Sequence, residues 1–303
     1  MAAQDHISRG IALRVAAAGS YSIMTGVLKL ASTHGVVAIE MLFYRALFGL
    51  PVVLIWVMAG DGLRALRTER PWAHVRRSAL GITSILLTFQ SLILLPLADA
   101  TTIGFTSPIF ATILSFLLLG ERIGRHRWIA VLLGFLGVVI VMRPGAASHA
   151  VPLLGVGVAL LAAFGQASVT ITLRQLGNTE HVAAIVFWFF FASAVVAGSM
   201  LPFFGSWHEP QTVLLLAIAG VCGGLMQLAL TASLQAAPVS VIAPFDYLQI
   251  VGATILGWVL LSTPPTVNTL GGAVLIAGSG LYTAWREHVR RRDPVVPPTQ
   301  SVT

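Results

Sequence analysis

Apolar positions along this chain come in ten runs, each stopped by a short cluster of glycine, proline or charge. They fall at 11–31, 36–58, 79–95, 100–119, 128–143, 152–173, 182–202, 212–235, 240–261 and 266–285. Runs of this kind are too long for core strands and approach the roughly 20 residues that an α-helix needs to cross a bilayer. The pattern therefore predicts an all-α integral membrane protein of ten transmembrane helices. Linkers are short almost everywhere, so neighbouring helices are expected to be antiparallel. The longest linker, 59–78, holds Arg64, Arg67, Arg70, Arg76 and Arg77 and reads as a solvated loop.

The pattern is also duplicated. Setting Pro96 on Pro238 without a gap puts Ala111-Thr112-Ile113-Leu114 on Ala253-Thr254-Ile255-Leu256, and Leu118-Leu119 on Leu260-Leu261. Five spans per copy is an odd number, so the second copy must enter the membrane from the opposite side. The expected organisation is an inverted-topology pair, 1–147 and 148–289, followed by a disordered cytoplasmic tail, 290–303, that is rich in proline. Such pairs place a substrate site near the midplane and work by rocking one half against the other. The copies differ where TTIGFTSPIF in the first faces APFDYLQIVG in the second.

Composition narrows the class. With 56% hydrophobic and 10% charged residues and a mean hydropathy of +0.88, a soluble domain is excluded. The net charge of +7 is spread over short loops and not over one face, which argues against a nucleic-acid partner. Placing the N-terminus inside assigns fifteen of the 18 Lys and Arg to the cytoplasmic side, Arg14 and Arg77 among them, and predicts both termini there. The polar stretch 1–10 leads into an apolar segment that lacks a small-residue cleavage site and is followed at once by more spans, so it reads as the start of a retained first helix, not a signal peptide. The single cysteine, Cys222, reads as a structural thiol. No HExxH, GxSxG, Walker loop or metal-ligand cluster occurs, and His149, His181 and His208 stand singly in loops, so no enzyme activity, cofactor or metal is expected.

Charge inside a bilayer costs at least a few kcal/mol and needs a partner or a wet cavity. Arg45 lies on the order of 13 Å from the outer end of the second span, where it could clamp a carboxylate or phosphate or form a structural bridge. Glu40, five residues earlier, shares no helix face with Arg45 and reads as an outer rim or gating residue. Lys29 lies near the outer end of the first span, within snorkelling reach of the interface. Asp246, with Tyr247 and Gln249 beside it, is placed to relay a proton, hold a substrate ammonium or bond a neighbouring helix. Gln90, Gln166 and Gln227 sit at similar depth in both halves, with Tyr21 and Ser22 in the first span. Together with Trp188 and Trp258 they point to a shared wet cavity, whereas Trp128, Trp207 and Trp285 fit an interfacial belt. Gly220 and Gly224, Gly134 and Gly137, and Ala273 and Ala277 have the spacing of close helix contacts. Packing within the chain accounts for them; a homodimer seam is the alternative, and a monomer suffices.

LPLADATTIGFTSPIFATILSFLLLGERIGRHRWIAVLLGFLGVVIVMRPG, with IEMLFYRALFGL in the second span and the echo APVSVIAPFDYLQIVGATILGWVLL, resembles the EamA family of the drug/metabolite transporter superfamily. The resemblance implies a ten-helix inverted-repeat carrier with a central cavity in a bacterial inner membrane. Members move amino acids and their derivatives, vitamins such as riboflavin and other metabolites, many outward. Arg45 matches the arginine common in the family's second span and Glu121 the acid that ends the fourth. Ser262-Thr263 stands where the second copy of the pattern has Gly-Glu. The expectation is an alternating-access secondary carrier, not driven by ATP, for a small polar or zwitterionic metabolite such as an amino acid or derivative, with export favoured. A riboflavin-like carrier and a non-transporting scaffold or receptor are the alternatives.

Overall fold

In hydrocarbon a chain must satisfy its backbone N–H and C=O groups internally, and a helix does this within each run. A computed structural model describes residues 2–60, 62–119, 125–142, 152–176, 180–237 and 239–292, and the regular structure among them is helical throughout. In order the helices are α1 (Ala2–Thr33), α2 (Ala38–Ala59), α3 (Pro71–Leu94), α4 (Leu97–Gly104), α5 (Ser107–Leu119), α6 (Arg125–Met142), α7 (Leu153–Leu176), α8 (Val182–Phe204), α9 (Pro210–Ala236), α10 (Val239–Ile242), α11 (Leu248–Leu261) and α12 (Val267–Arg292). Two 3-10 turns, Leu63–Leu66 and Ala243–Tyr247, complete the chain. Six helices are long and apolar enough to span by length and composition alone. The remaining crossings are α4 with α5, α6, α10 with α11, and α12.

Two of the expected continuous spans are interrupted. The fourth breaks at Phe105-Thr106 between α4 and α5, and the ninth is opened by α10 and the turn Ala243–Tyr247 before α11 begins. Pro108 and Pro244 lie at these breaks, and each lacks the N–H that would continue an α-helical ladder. In the repeat register Phe105 falls on Tyr247, and the two rings touch with centroids 5.1 Å apart. The breaks are thus related by the inverted repeat and meet near its axis.

The helix pairings follow the same symmetry. The most extensive contacts are α1 with α9 and its counterpart α7 with α3. The pairs α2 with α8 and α6 with α12 each join equivalent helices. Gly220 and Gly224 of α9 lie against Tyr44, Phe48 and Gly49 of α2, and Gly137 of α6 lies against Gly272 of α12, so small residues admit the close approach. These pairings join one repeat to the other, so the repeats interlock.

One boundary changes the chemistry. α3 starts at Pro71, eight residues before the expected span, because proline at the first helical position is preorganised and loses no hydrogen bond there. Arg77, expected in a solvated loop, is therefore on the helix and buried, with 3% of its surface exposed. Arg14, expected on the cytoplasmic side, is buried in α1. α12 continues past Arg290 to Arg292. Glu121, His149, the expected repeat boundary at 147/148 and tail residues 293–303 lie outside the described residues.

Candidate functional site

The eighth residue past the α2 N-cap, five beyond Glu40, is the largest fully buried side chain among the described residues. Arg45 is 1% exposed, and its Nε and Nη1 have no hydrogen-bond partner. Its guanidinium carbon lies 4.7 Å from the Phe190 ring centroid and 5.8 Å from that of Phe189, both on α8. Gly223 of α9 and Met24 of α1 close around its stem. A ring face attracts a cation by roughly 1–2 kcal/mol when desolvated, which is less than the several kcal/mol that burial of an unpaired guanidinium costs.

A second arginine shares this aromatic floor. The Arg77 guanidinium lies 4.4 Å from the Phe189 centroid, and its Nε and Nη1 are likewise buried without partners. Two carbons held 5.8 Å and 4.4 Å from one centroid are at most about 10 Å apart, where like charges repel by roughly 1.5 kcal/mol at an effective dielectric near 20. Among the described residues no carboxylate faces either guanidinium. The Tyr21 hydroxyl is near enough to Arg45 to interact with it electrostatically.

Asp246 is occupied differently. Arg14 of α1 donates from Nε to Oδ1 at 2.6 Å and from Nη2 to Oδ2 at 2.5 Å, a bidentate fork that neutralises the acid within the bundle. Arg14 Nη1 also reaches Ser233 Oγ at 3.4 Å. Tyr247, next in sequence, turns its ring to Phe105 and its hydroxyl towards Gly280 of α12.

Each end of the bundle carries a buried carboxylate that bridges the repeats. At the end where α2 begins, buried Glu40 accepts the Val37 N–H at 2.9 Å, capping its own helix. It also accepts the Ser206 N–H at 2.6 Å, and His208 Nε2 is 3.0 Å away. Ser206 and His208 belong to the α8–α9 loop of the other repeat. At the opposite end Glu180, just before α8, accepts the Thr68 hydroxyl at 3.0 Å and the N–H groups of Glu69 and Arg70, each at 3.1 Å. His74 Nε2 stands 3.3 Å from its second oxygen. Burial pushes the Glu180 carboxyl up, but His74, Thr68 and the Glu69 N–H outweigh it and hold the group below the usual glutamate range.

The other predicted residues are scattered. Lys29 donates to the Ile93 carbonyl at 3.2 Å, covering a free acceptor at the C-terminal end of α3. Trp188 donates to the Leu66 carbonyl at 3.0 Å and so anchors the turn after α2. Gln227 is buried, Gln90 and Gln249 are half-buried, and Gln166 is exposed. The structure therefore brings Tyr21 and Arg45 together and leaves the glutamines on separate helices. Asp99, at the start of α4, accepts the Thr269 hydroxyl of α12 at 2.5 Å. His181 caps α8, accepting the Ala183 N–H at 3.2 Å. A cleft beside Trp56, Gly60, Ala65 and His181 lies at the far end of α2 from Arg45 and carries none of this chemistry.

Sequence reading missed Arg14, Arg77, His74, His208 and Glu180. Two signals were available: Arg14 lies inside the first apolar run, and Pro71 marks a helix start that puts Arg77 in the second turn. For Glu180 and the histidines no local signal exists, since their partners are on other helices or loops.

Interlocked inverted repeats, paired broken helices meeting at their axis and uncompensated charge inside the bundle are the architecture of a polytopic membrane transporter. The EamA-like transporter family model matches residues 8–143 and again 153–284, and the chain belongs to that family, within the drug/metabolite transporter superfamily. Among curated proteins the chain is 31% identical over 279 residues to the pseudopaline exporter CntI of Pseudomonas aeruginosa, covering 90% of this chain and 94% of that protein. It is 28% identical over 300 residues to a riboflavin transporter of Vibrio cholerae, covering 97% and 99%. An S-adenosylmethionine uptake transporter of Rickettsia bellii is 29% identical over 250 residues, covering 82% and 84%. A solved crystal structure superposes with a TM-score of 0.68 at 20% identity, over 94% of this chain and 99% of that one, and shares the fold. The protein is a multi-pass membrane transporter of small metabolites.

Proposed function

We propose that the protein is an alternating-access secondary carrier for a small carboxylate-bearing metabolite, an amino-acid derivative by preference, that resides in a bacterial inner membrane with both termini cytoplasmic. One observation carries this reading: Arg45 is buried with unpartnered nitrogens while Asp246, the acid that would hold a substrate ammonium, is already neutralised by Arg14. A carboxylate supplies the charge and the two parallel acceptors that a guanidinium lacks here. Arg45 binds the substrate, Tyr21 stands beside it, and the Glu40 and Glu180 latches close the two ends in turn. The named exporter among the relatives supports outward movement.

The aromatic floor of Phe189 and Phe190 also favours a second reading, a vitamin carrier in which a ring system stacks on these faces and a ring carbonyl accepts from Arg45. Both readings are tested by counterflow in proteoliposomes with labelled N-acetyl amino acids and with riboflavin. Replacement of Arg45 by glutamine is expected to lower counterflow of the true substrate class at least tenfold. Unchanged transport of every accepted compound in that variant would remove the anion-carrier reading.

A further inference from the structure

Resting on the anion-carrier reading, we infer that Arg45 and Arg77 form a two-point site for a dicarboxylate, with Phe189, the ring that lies against both guanidinium groups, as a place-holder. Charge inside the bundle does not balance. Arg14 and Asp246 cancel, and Lys29 is turned away to the end of α3. Two cations remain enclosed near one ring, each with two buried nitrogens that donate to nothing. One carboxylate would satisfy one fork and leave the other as it stands.

Geometry selects the ligand class. A separation of at most about 10 Å between guanidinium carbons admits two carboxylates joined by a short chain, since each fork sits about 4 Å from the carboxyl carbon it binds. The two arginines come from α2 and α3, and the ring from α8 of the other repeat, so a dianion that displaces Phe189 would tie the repeats together through charge. Phe190 still covers Arg45 alone, which leaves an aromatic wall for the body of the ligand.

The test compares dicarboxylates with their monoamides, which keep the shape and remove one charge: succinate with succinamate, glutarate with glutaramate, and N-acetylglutamate with N-acetylglutamine. Thermal stabilisation of the purified full-length protein reports binding because a ligand specific to the folded state raises apparent stability. At least one dicarboxylate is expected to bind tenfold or more tightly than its monoamide. Arg77→Gln should weaken dicarboxylate binding more than monoamide binding and so remove that preference; Arg77→Lys should retain part of it, which separates charge from folding defects. If no pair shows a preference, if Arg77→Gln leaves the preference intact, or if only phosphate monoesters bind, the two-point dicarboxylate site is wrong. If Arg45→Gln changes binding of neither member of a pair, the anion-carrier reading fails with it.

Discussion

The two ends of the bundle and its centre treat charge in opposite ways. At the ends Glu180 accepts the Thr68 hydroxyl and the Glu69 and Arg70 N–H groups of the other repeat, and Glu40 accepts the Ser206 N–H of the other repeat and the Val37 N–H of its own; at the centre Arg45 and Arg77 have aromatic faces and no acceptor. In the proposed carrier the bonded carboxylates make closures, because each hydrogen bond must be broken for the end to open. Lack of partnership makes a receptor, because a ligand that supplies the missing acceptors gains what the protein does not provide. The two latches are also alike without being copies. The repeat register sets Glu40 on Val182 and Glu180 on Ala38, so the same device occurs at both helix starts from residues two positions apart.

The sharpest way to break this contrast is to leave an acid unpaired inside the bundle. Arg14→Ala is expected to cost about 3–5 kcal/mol by stranding Asp246, and Asp246→Asn in the same chain should return much of it. Thermal unfolding in detergent of the two single variants and the double variant measures this. Next, Glu180→Ala leaves the Glu69 N–H without its acceptor, removes the acceptor of the Thr68 hydroxyl and leaves the Arg70 N–H to Thr68 Oγ1 alone, and should cost about 3 kcal/mol; Glu40→Ala should cost about 2 kcal/mol. The end affected distinguishes them. In a Cys222→Ser background, a cysteine at Leu66 should react faster with an impermeant maleimide only when Glu180 is replaced, and one at Ala38 only when Glu40 is replaced. Equal acceleration at both positions by either variant would show that the ends are not separate latches.

The centre should behave in the reverse sense. Arg45→Gln removes an uncompensated buried charge and is expected to raise stability by roughly 1 kcal/mol in the absence of ligand, while transport is lost. A destabilised variant would mean that Arg45 has a structural partner. The smallest effect is pH dependence at Glu180. Its folded value is held below the ordinary glutamate value of 4.5, so its contribution is complete above 4.5 and drains away as pH falls through the depressed folded value. Melting curves between pH 7 and 3 should show this acid limb in the parent and lose that share of it in Glu180→Gln.

Legibility in the sequence followed range of interaction. Glu40 reads as an end residue because its depth along α2 follows from counting, but its grip on Ser206 and His208 spans 166 residues of chain and has no local mark. Asp246 reads as a charge needing a partner; that the partner is Arg14, 232 residues away, depends on how α1 is rotated against the turn before α11. Trp188 and the glutamines have the depth of cavity residues, yet depth says nothing of the direction a side chain takes around its helix axis. Arg77 was hidden by company, since among five loop arginines composition does not single out the one that a proline-started helix carries inward.

By itself the sequence determined the number of crossings, the duplication and the inversion that an odd number of spans imposes. These depend only on run length and parity, because hydrocarbon thickness sets one and topology the other. Tertiary structure alone decided which charges cancel, which close the ends and which stand open at the centre. Pairing needs two helices at a particular rotation and distance, and packing of Gly49 against Gly220 and Gly224, not hydropathy, sets that rotation for α2 and α9.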